Sequence, residues 1–133
     1  MITRVLQGLA WLIVAGLVLQ FYLAGAALFG VTTFQPHRAL GDALGVAILV
    51  LLLVALMARP GRRTVVLAAT LTVLTIVQLS LPSLRSGLPW LAALHVVNAA
   101  ALLLVAVSIA LARQQMHESP GVRVPVRPSA EAS

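Results

Sequence analysis

The sequence predicts an all-α protein, a four-helix transmembrane bundle. Of its 133 residues 61% are hydrophobic and 9% are charged, whereas a soluble domain usually carries about 25% charged residues. Four segments reach the roughly 20 apolar residues that a membrane helix needs. The nine basic residues are all arginines and lie mainly at the ends of these segments. Such a chain has too little polar surface to be soluble, so we expect it in a lipid bilayer.

The four helices are predicted at residues 5–29, 36–58, 64–84 and 89–112. The first apolar run is longer than the roughly 7–15 residues of a signal-peptide core, so it is interpreted as a retained helix. Proline and glycine after the second helix predict a tight turn, and proline opens the fourth, where its missing N–H costs little. Residues 1–113 therefore form the predicted bundle, and the short, polar, proline-containing residues 114–133 form a predicted disordered cytoplasmic tail.

The distribution of arginine predicts the orientation. With the N-terminus inside, seven arginines lie on the cytoplasmic side and two on the outer side, as the positive-inside rule requires when both termini are cytoplasmic. The expected location is the cytoplasmic membrane. The net charge of +6 does not indicate a nucleic-acid partner, because the arginines are not clustered. The chain has no cysteine, which excludes disulfides and thiolate metal sites.

An internal repeat is predicted at an offset of 58 residues. This offset pairs Gln20 with Gln78 and His37 with His95, and in each half the glutamine precedes the histidine by 17 residues. Two parallel helical hairpins would be related by a pseudo-two-fold axis along the membrane normal. Both histidines would then lie at one depth, on the second and fourth helices, and face each other across the axis.

Two opposed imidazoles in an apolar bundle favour a b-type haem with His37 and His95 as the metal ligands. A bare zinc or copper site would need three or four ligands, and only Asp42 lies nearby in the sequence. The alternative is that both histidines are structural and satisfied by neighbours at the membrane interface.

Small residues follow each histidine on the same helix. Gly41 and Gly45 lie four and eight residues after His37, and Ala99 lies four residues after His95. Residues four apart share a helix face, so these positions would leave room for a flat macrocycle. Gly41 and Gly45 also form a small-xxx-small motif, which is an ordinary helix-packing signal.

Other polar residues have candidate roles around the haem. Arg38 and Arg85 lie where propionates would emerge, and guanidinium groups pair well with carboxylates. Arg38 could instead pair with Asp42 on one helix face, and Arg85 could simply reach the interface from its loop. Gln20 and Gln78 are expected either to orient the histidines through Nδ1–H or to form interhelical hydrogen bonds.

The segments His37–Gly41 and Leu94–Ala99, together with Gln78 between them, resemble one four-helix half of the heme A synthase family. They also resemble a group of small actinobacterial four-helix membrane proteins. The resemblance implies axial roles for His37 and His95, a propionate role for Arg38 and haem near the outer face. Three departures argue against heme A synthesis. The chain has one such half, Phe34 stands where that family has a catalytic acid, and cysteines are absent.

The expected function is therefore that of a membrane b-type cytochrome, acting in electron transfer or haem handling, rather than that of a catalyst. Its expected surroundings are the lipid bilayer and either a membrane redox complex or a second copy of the chain. The alternatives are a haem-free accessory subunit of a larger membrane complex, or a small carrier in which Gln20, Gln78 and Asn98 line a path.

Overall fold

The computed structural model describes residues 2–112, which are almost entirely helical. The tail predicted at 114–133 lies outside these residues. The helices are α1 (Ile2–Leu28), α2 (Gln35–Ala58), α3 (Arg62–Ser80) and α4 (Pro89–Leu111), and a 3₁₀ segment, Leu81–Ser86, joins the last two.

The four helices form a bundle in which each packs against its neighbours in the chain, and α1 also packs against α4. Within residues 2–112, α2 and α4 therefore occupy diagonal positions. All four spans are long and apolar enough to cross a membrane. The predicted all-α, four-helix architecture is confirmed.

The turns follow from residues with special backbone preferences. Gly30, at φ 74°, ends α1, and the Val31 N–H bonds the Ala26 carbonyl beyond it, which is a Schellman motif. Arg59 closes α2 in the left-handed conformation at φ 46°. Gly61, at φ 122°, has a backbone conformation that residues other than glycine rarely adopt.

The end of α3 differs from the prediction. A continuous helix was expected over 64–84, but α3 ends at Ser80 and the chain tightens into the 3₁₀ segment. The cause is Pro82, which has no N–H to donate to the carbonyl four residues earlier and whose ring crowds it. That carbonyl belongs to Gln78, so it is left without its usual helical partner.

A stripe of core-facing positions runs along each helix. In α2 it passes through Leu44, Ile48, Leu51 and Ala55, at the alternating spacing of four and three that aligns one helix face. The main buried cluster occupies one half of the bundle, here called the core end. The cluster also includes residues of the other three helices: Leu6, Ala10, Ile13, Leu17, Ala68, Leu71, Leu102, Ala106, Ile109 and Ala110.

The opposite half, here called the histidine end, comprises the C-terminal parts of α1 and α3 and the N-terminal parts of α2 and α4. The stripes continue there with buried Thr75 and Leu81, but most of their other side chains are only partly buried. Several of these positions are polar or glycine. The stripe positions at this end include Gln20, His37, Gly41, Gln78 and His95.

Candidate functional site

His37 is held by the helix that precedes it in the chain. Its Nδ1 lies 3.2 Å from the carbonyl oxygen of Gln20 on α1. A carbonyl can only accept, so Nδ1 carries the hydrogen and donates it. In the neutral ring Nε2 is then the unprotonated nitrogen with a free lone pair.

His95 makes the equivalent bond in the second half of the bundle. Its Nδ1–H donates to the carbonyl oxygen of Gln78 on α3 at 3.1 Å. The two donors follow their acceptors by the same 17 residues. Pro82 has no N–H to offer the Gln78 carbonyl, whereas the Gln20 carbonyl accepts the equivalent bond within the continuous helix α1. Both rings therefore have the same tautomer.

The two rings meet across the diagonal of the bundle. The centroids of His37 and His95 lie 6.2 Å apart, with the ring planes at 64°. Both residues are partly buried. The ring of Phe34 approaches His37 edge-on from the start of α2, also at 6.2 Å between centroids. The rings of His37 and His95 are thus neighbours, and the proposed repeat and ligand roles of the two residues stay predictions.

A closed hydrogen-bond network surrounds His95. The Gln78 side-chain Nε2 donates to His95 Nε2 at 3.2 Å, and the Asn98 amide donates to Gln78 Oε1 at 2.7 Å. The same Asn98 nitrogen also reaches the Leu74 carbonyl oxygen at 2.9 Å. Each of these groups links α3 to α4, so the network both fixes the ring and joins the two helices.

The corresponding network around His37 is incomplete. The side-chain Oε1 of Gln20 is buried and has no hydrogen-bond partner. The Gln20 Nε2 lies against Gly41, where an added Cβ would approach it to 2.9 Å. The position equivalent to Asn98 at the offset of 58 is Leu40, which has no donor. The absence of a donor at position 40 is one difference between the halves; another is that Gln78 bonds the ring of His95, whereas the Gln20 amide lies against Gly41.

Histidine orientation is achieved differently from one sequence expectation. Gln20 and Gln78 were expected to hold the Nδ1–H groups through their side chains. Their main-chain carbonyls accept these hydrogens instead, which leaves the side-chain amides for other partners. The expected interhelical bonding by Gln78 is present, through Asn98 and His95.

The small residues have separate surroundings. Gly41 faces Gln20, whereas an added Cβ on Gly45 would meet Leu79 at 3.4 Å and Thr75 at 3.9 Å. Gly45 therefore packs α2 against α3, as the helix-packing alternative requires. Ala99, on the same helix as His95, is partly buried.

The remaining predicted residues lie around the histidine end. Arg38, near the start of α2, and Arg85, in the last turn of the 3₁₀ segment, are both exposed. Asp42, four residues after Arg38, is exposed as well. In the part of the chain that the structure describes, no group of three or more histidine, cysteine or acidic side chains forms a metal cluster. The candidate donor set is therefore the two imidazoles.

Pro82 is a position beside the site that the sequence analysis did not predict. It lies four residues after Gln78 and in the 3₁₀ segment that follows α3, and the available signal was that spacing. The sequence suggests Asn98 only as a lining residue of a small carrier, because its pairing with Gln78 depends on side-chain geometry that spacing does not reveal.

A family model described as "Family of unknown function (DUF6220)" matches residues 20–85, just under half of the chain. The matched part begins at Gln20 and includes His37 and Gln78, but it ends before His95. No curated protein and no solved structure matches the chain.

Proposed function

We propose that the protein is a membrane b-type cytochrome that binds one haem between His37 and His95 and acts in electron transfer or haem handling. The observation that carries the proposal is the pair of facing histidines with matched tautomers. In each, Nδ1–H is bonded to a carbonyl of the preceding helix. Such a bond to the non-ligating nitrogen is the usual support of a metal-bound histidine.

The proposed setting is a bilayer, with both termini on the cytoplasmic side. Four spans of sufficient length and hydropathy support insertion, and the arginine distribution supports the orientation. The histidine end then lies toward the outer surface. The two hairpins are proposed to be a parallel repeat, which is supported by the 17-residue spacing shared by the two histidine–carbonyl bonds.

The chemistry of the donor set supports the proposal. Two imidazoles lie 6.2 Å apart between ring centroids, and imidazole nitrogen is a common ligand of haem iron. The Nε2 lone pair of His37 would be available to the iron, whereas that of His95 accepts from Gln78 and would have to be released first.

The packing of the bundle also fits a flat apolar group. The main hydrophobic cluster is confined to the core end, and most stripe positions at the histidine end are only partly buried. Haem sites in helical bundles are built from side chains that project between facing helices. Gly41 and Ala99 lie one turn from the two histidines, and their small size leaves little side-chain bulk beside each ring.

The chain's own residues would bind and orient the group. His37 and His95 would hold the iron, the carbonyls of Gln20 and Gln78 fix the rings, and the exposed Arg38 and Arg85 are the proposed partners of the propionates. When bound, haem supplies a one-electron redox centre. A proposed redox partner would approach from the outer surface, either as part of a membrane complex or as a second copy of the chain.

The test is an absorption spectrum of protein purified in detergent from haem-replete cells. We expect a low-spin bis-histidine spectrum, and we expect this signature to be lost in both His37→Ala and His95→Ala. His117→Ala is the matched control, because it removes the third histidine of the sequence from the tail and should leave the spectrum unchanged. Colourless wild-type protein that also fails to bind added hemin would refute the proposal.

A haem-free accessory subunit is the second candidate. It is favoured by the closed network of Gln78, His95 and Asn98, which satisfies His95 without any cofactor. Here the polar residues serve only to lock α3 against α4, and the chain packs against a larger membrane complex. Reproducible co-purification with one partner, in a complex free of haem, would support this function.

A further inference from the structure

The two histidines differ at the atom that would bind a ligand. Gln78 donates to the Nε2 of His95, whereas within residues 2–112 the Nε2 of His37 has no hydrogen-bond partner and only its Nδ1 is bonded. We propose that His37 is the resident axial ligand and that Gln78 is a displaceable cap on His95, which keeps one axial position open to exchange. This inference rests on the proposed haem binding.

The first step of the argument concerns the bonds that each histidine loses on coordination. The Nε2 of His37 is already free, so its coordination breaks no hydrogen bond. His95 must first release the Gln78 amide at 3.2 Å. The released N–H is then left at a partly buried position, where an unsatisfied donor is costly. His95 is therefore the weaker ligand by about tenfold, which corresponds to one hydrogen bond.

The second step concerns the orientation of the cap. Asn98 donates to the Gln78 Oε1 at 2.7 Å and to the Leu74 carbonyl oxygen, so the Gln78 amide is oriented with its N–H toward His95 Nε2 and competes with any other partner for that lone pair. The equivalent glutamine, Gln20, has no such restraint, since its Oε1 lacks a partner. The cap is thus built into one half of the bundle only.

The consequence is a function that a fully ligated cytochrome lacks. An axial position held by a weak ligand can accept a small exogenous molecule with a lone pair, such as cyanide, carbon monoxide or imidazole. Gln78 acts here through His95 and is a positioning residue.

The experiment compares Gln78→Leu with the matched control Gln20→Leu in detergent-purified, hemin-reconstituted protein. Without the Gln78 amide, His95 Nε2 should bind the iron more strongly and compete better with cyanide. Gln78→Leu should therefore bind cyanide about tenfold more weakly than wild type. It should also lose any high-spin fraction in its electron paramagnetic resonance spectrum. Gln20→Leu should leave cyanide affinity unchanged. Equal cyanide affinities for Gln78→Leu and wild type would overturn the inference.

Hemin titration of the alanine variants separates the two ligands. His95→Ala should retain hemin as a high-spin species, whereas His37→Ala should lose at least about tenfold more affinity than His95→Ala does. Equal losses from the two variants would overturn the inequivalence while leaving the haem proposal intact. No hemin binding by the wild type would overturn both.

A measurement without haem keeps the inference testable if an alanine variant fails to fold. In protein with ¹⁵N-labelled histidine, Gln78→Leu should shift the Nε2 resonance of His95 and leave that of His37 in place. Gln20→Leu should shift neither Nε2 resonance. An unchanged His95 Nε2 resonance in Gln78→Leu would contradict the cap directly.

Discussion

Replacing Leu40 with asparagine is expected to supply a hydrogen bond that the first half of the bundle lacks. Leu40 lies 58 residues before Asn98, whose amide satisfies Gln78 Oε1 at 2.7 Å. The counterpart of that oxygen is Gln20 Oε1, which is buried without a partner. If the two hairpins are true repeats, the amide introduced by Leu40→Asn should reach Gln20 Oε1 in the same way.

The expected magnitude follows from two opposing terms. A buried acceptor without a partner costs about 1–3 kcal/mol, and the introduced amide would recover much of this. Leu40 is a partly buried residue packed against the core, so its removal costs about 1–2 kcal/mol of apolar burial. The net change in unfolding free energy is therefore small, but the interaction between positions 40 and 20 should be clearly favourable.

A double-mutant cycle isolates that interaction. Leu40→Asn is made in the wild-type and Gln20→Leu backgrounds, and unfolding is followed by circular dichroism during titration of dodecyl sulfate into mixed micelles. The coupling should favour folding by about 1–2 kcal/mol. The reverse change, Asn98→Leu, should destabilise the protein by about 2 kcal/mol, because it leaves Gln78 Oε1 unpartnered. A coupling of zero would refute the equivalence of positions 40 and 98.

Further predictions concern helix packing and the end of α3. Gly16→Ala should destabilise the protein by about 1–2 kcal/mol, because its Cβ would lie 2.6 Å from the buried Leu44 Cδ2 and overpacking outweighs the helix-propensity gain. Gly45→Ala should instead stabilise the protein by up to about 1 kcal/mol, because its added Cβ would lie 3.4 Å from Leu79 Cδ1. The same micellar unfolding assay measures both variants. Equal changes in unfolding free energy would contradict the difference in packing. Pro82→Ala should extend α3 and weaken the hydrogen bond from His95 Nδ1–H to the Gln78 carbonyl oxygen. NMR would then show faster hydrogen exchange of that ring proton. Unchanged exchange would show that Pro82 does not affect this bond.

Sequence reasoning reached the histidine pair because its signal is one of spacing. Glutamine and histidine are scarce in this chain, so two equal intervals of 17 residues were enough to predict that His37 and His95 are equivalent. Their approach to 6.2 Å then follows from the antiparallel hairpins. The Gln78 cap could not be predicted in this way, since it depends on which rotamers the amides of Gln78 and Asn98 adopt.

Gly41 and Gly45 show that helix periodicity predicts a shared face for residues four apart but not for residues eight apart. At about 100° per residue, a position eight residues after His37 is rotated by about 80° from it, whereas a position four residues after it is rotated by about 40°. Gly41 accordingly faces Gln20 while Gly45 faces α3. The end of α3 was missed for a different reason. Apolar residues continue past Ser80, so hydropathy alone extended the helix through Pro82.

The two halves of the bundle share one feature and differ in another. Both contain the histidine–carbonyl bond, but only the second satisfies its glutamine side chain. A polar group buried without a partner lowers stability, and a leucine at position 20 would remove that cost. The proposed haem function and the accessory function use this unpartnered end differently. A haem ligated by His37 would use its Nε2, whereas a partner subunit would supply a donor to Gln20 Oε1. Hemin titration distinguishes the two, because the haem function predicts hemin binding that is lost in His37→Ala and kept in Gln20→Leu, whereas the haem-free function predicts no hemin binding by the wild type or either variant.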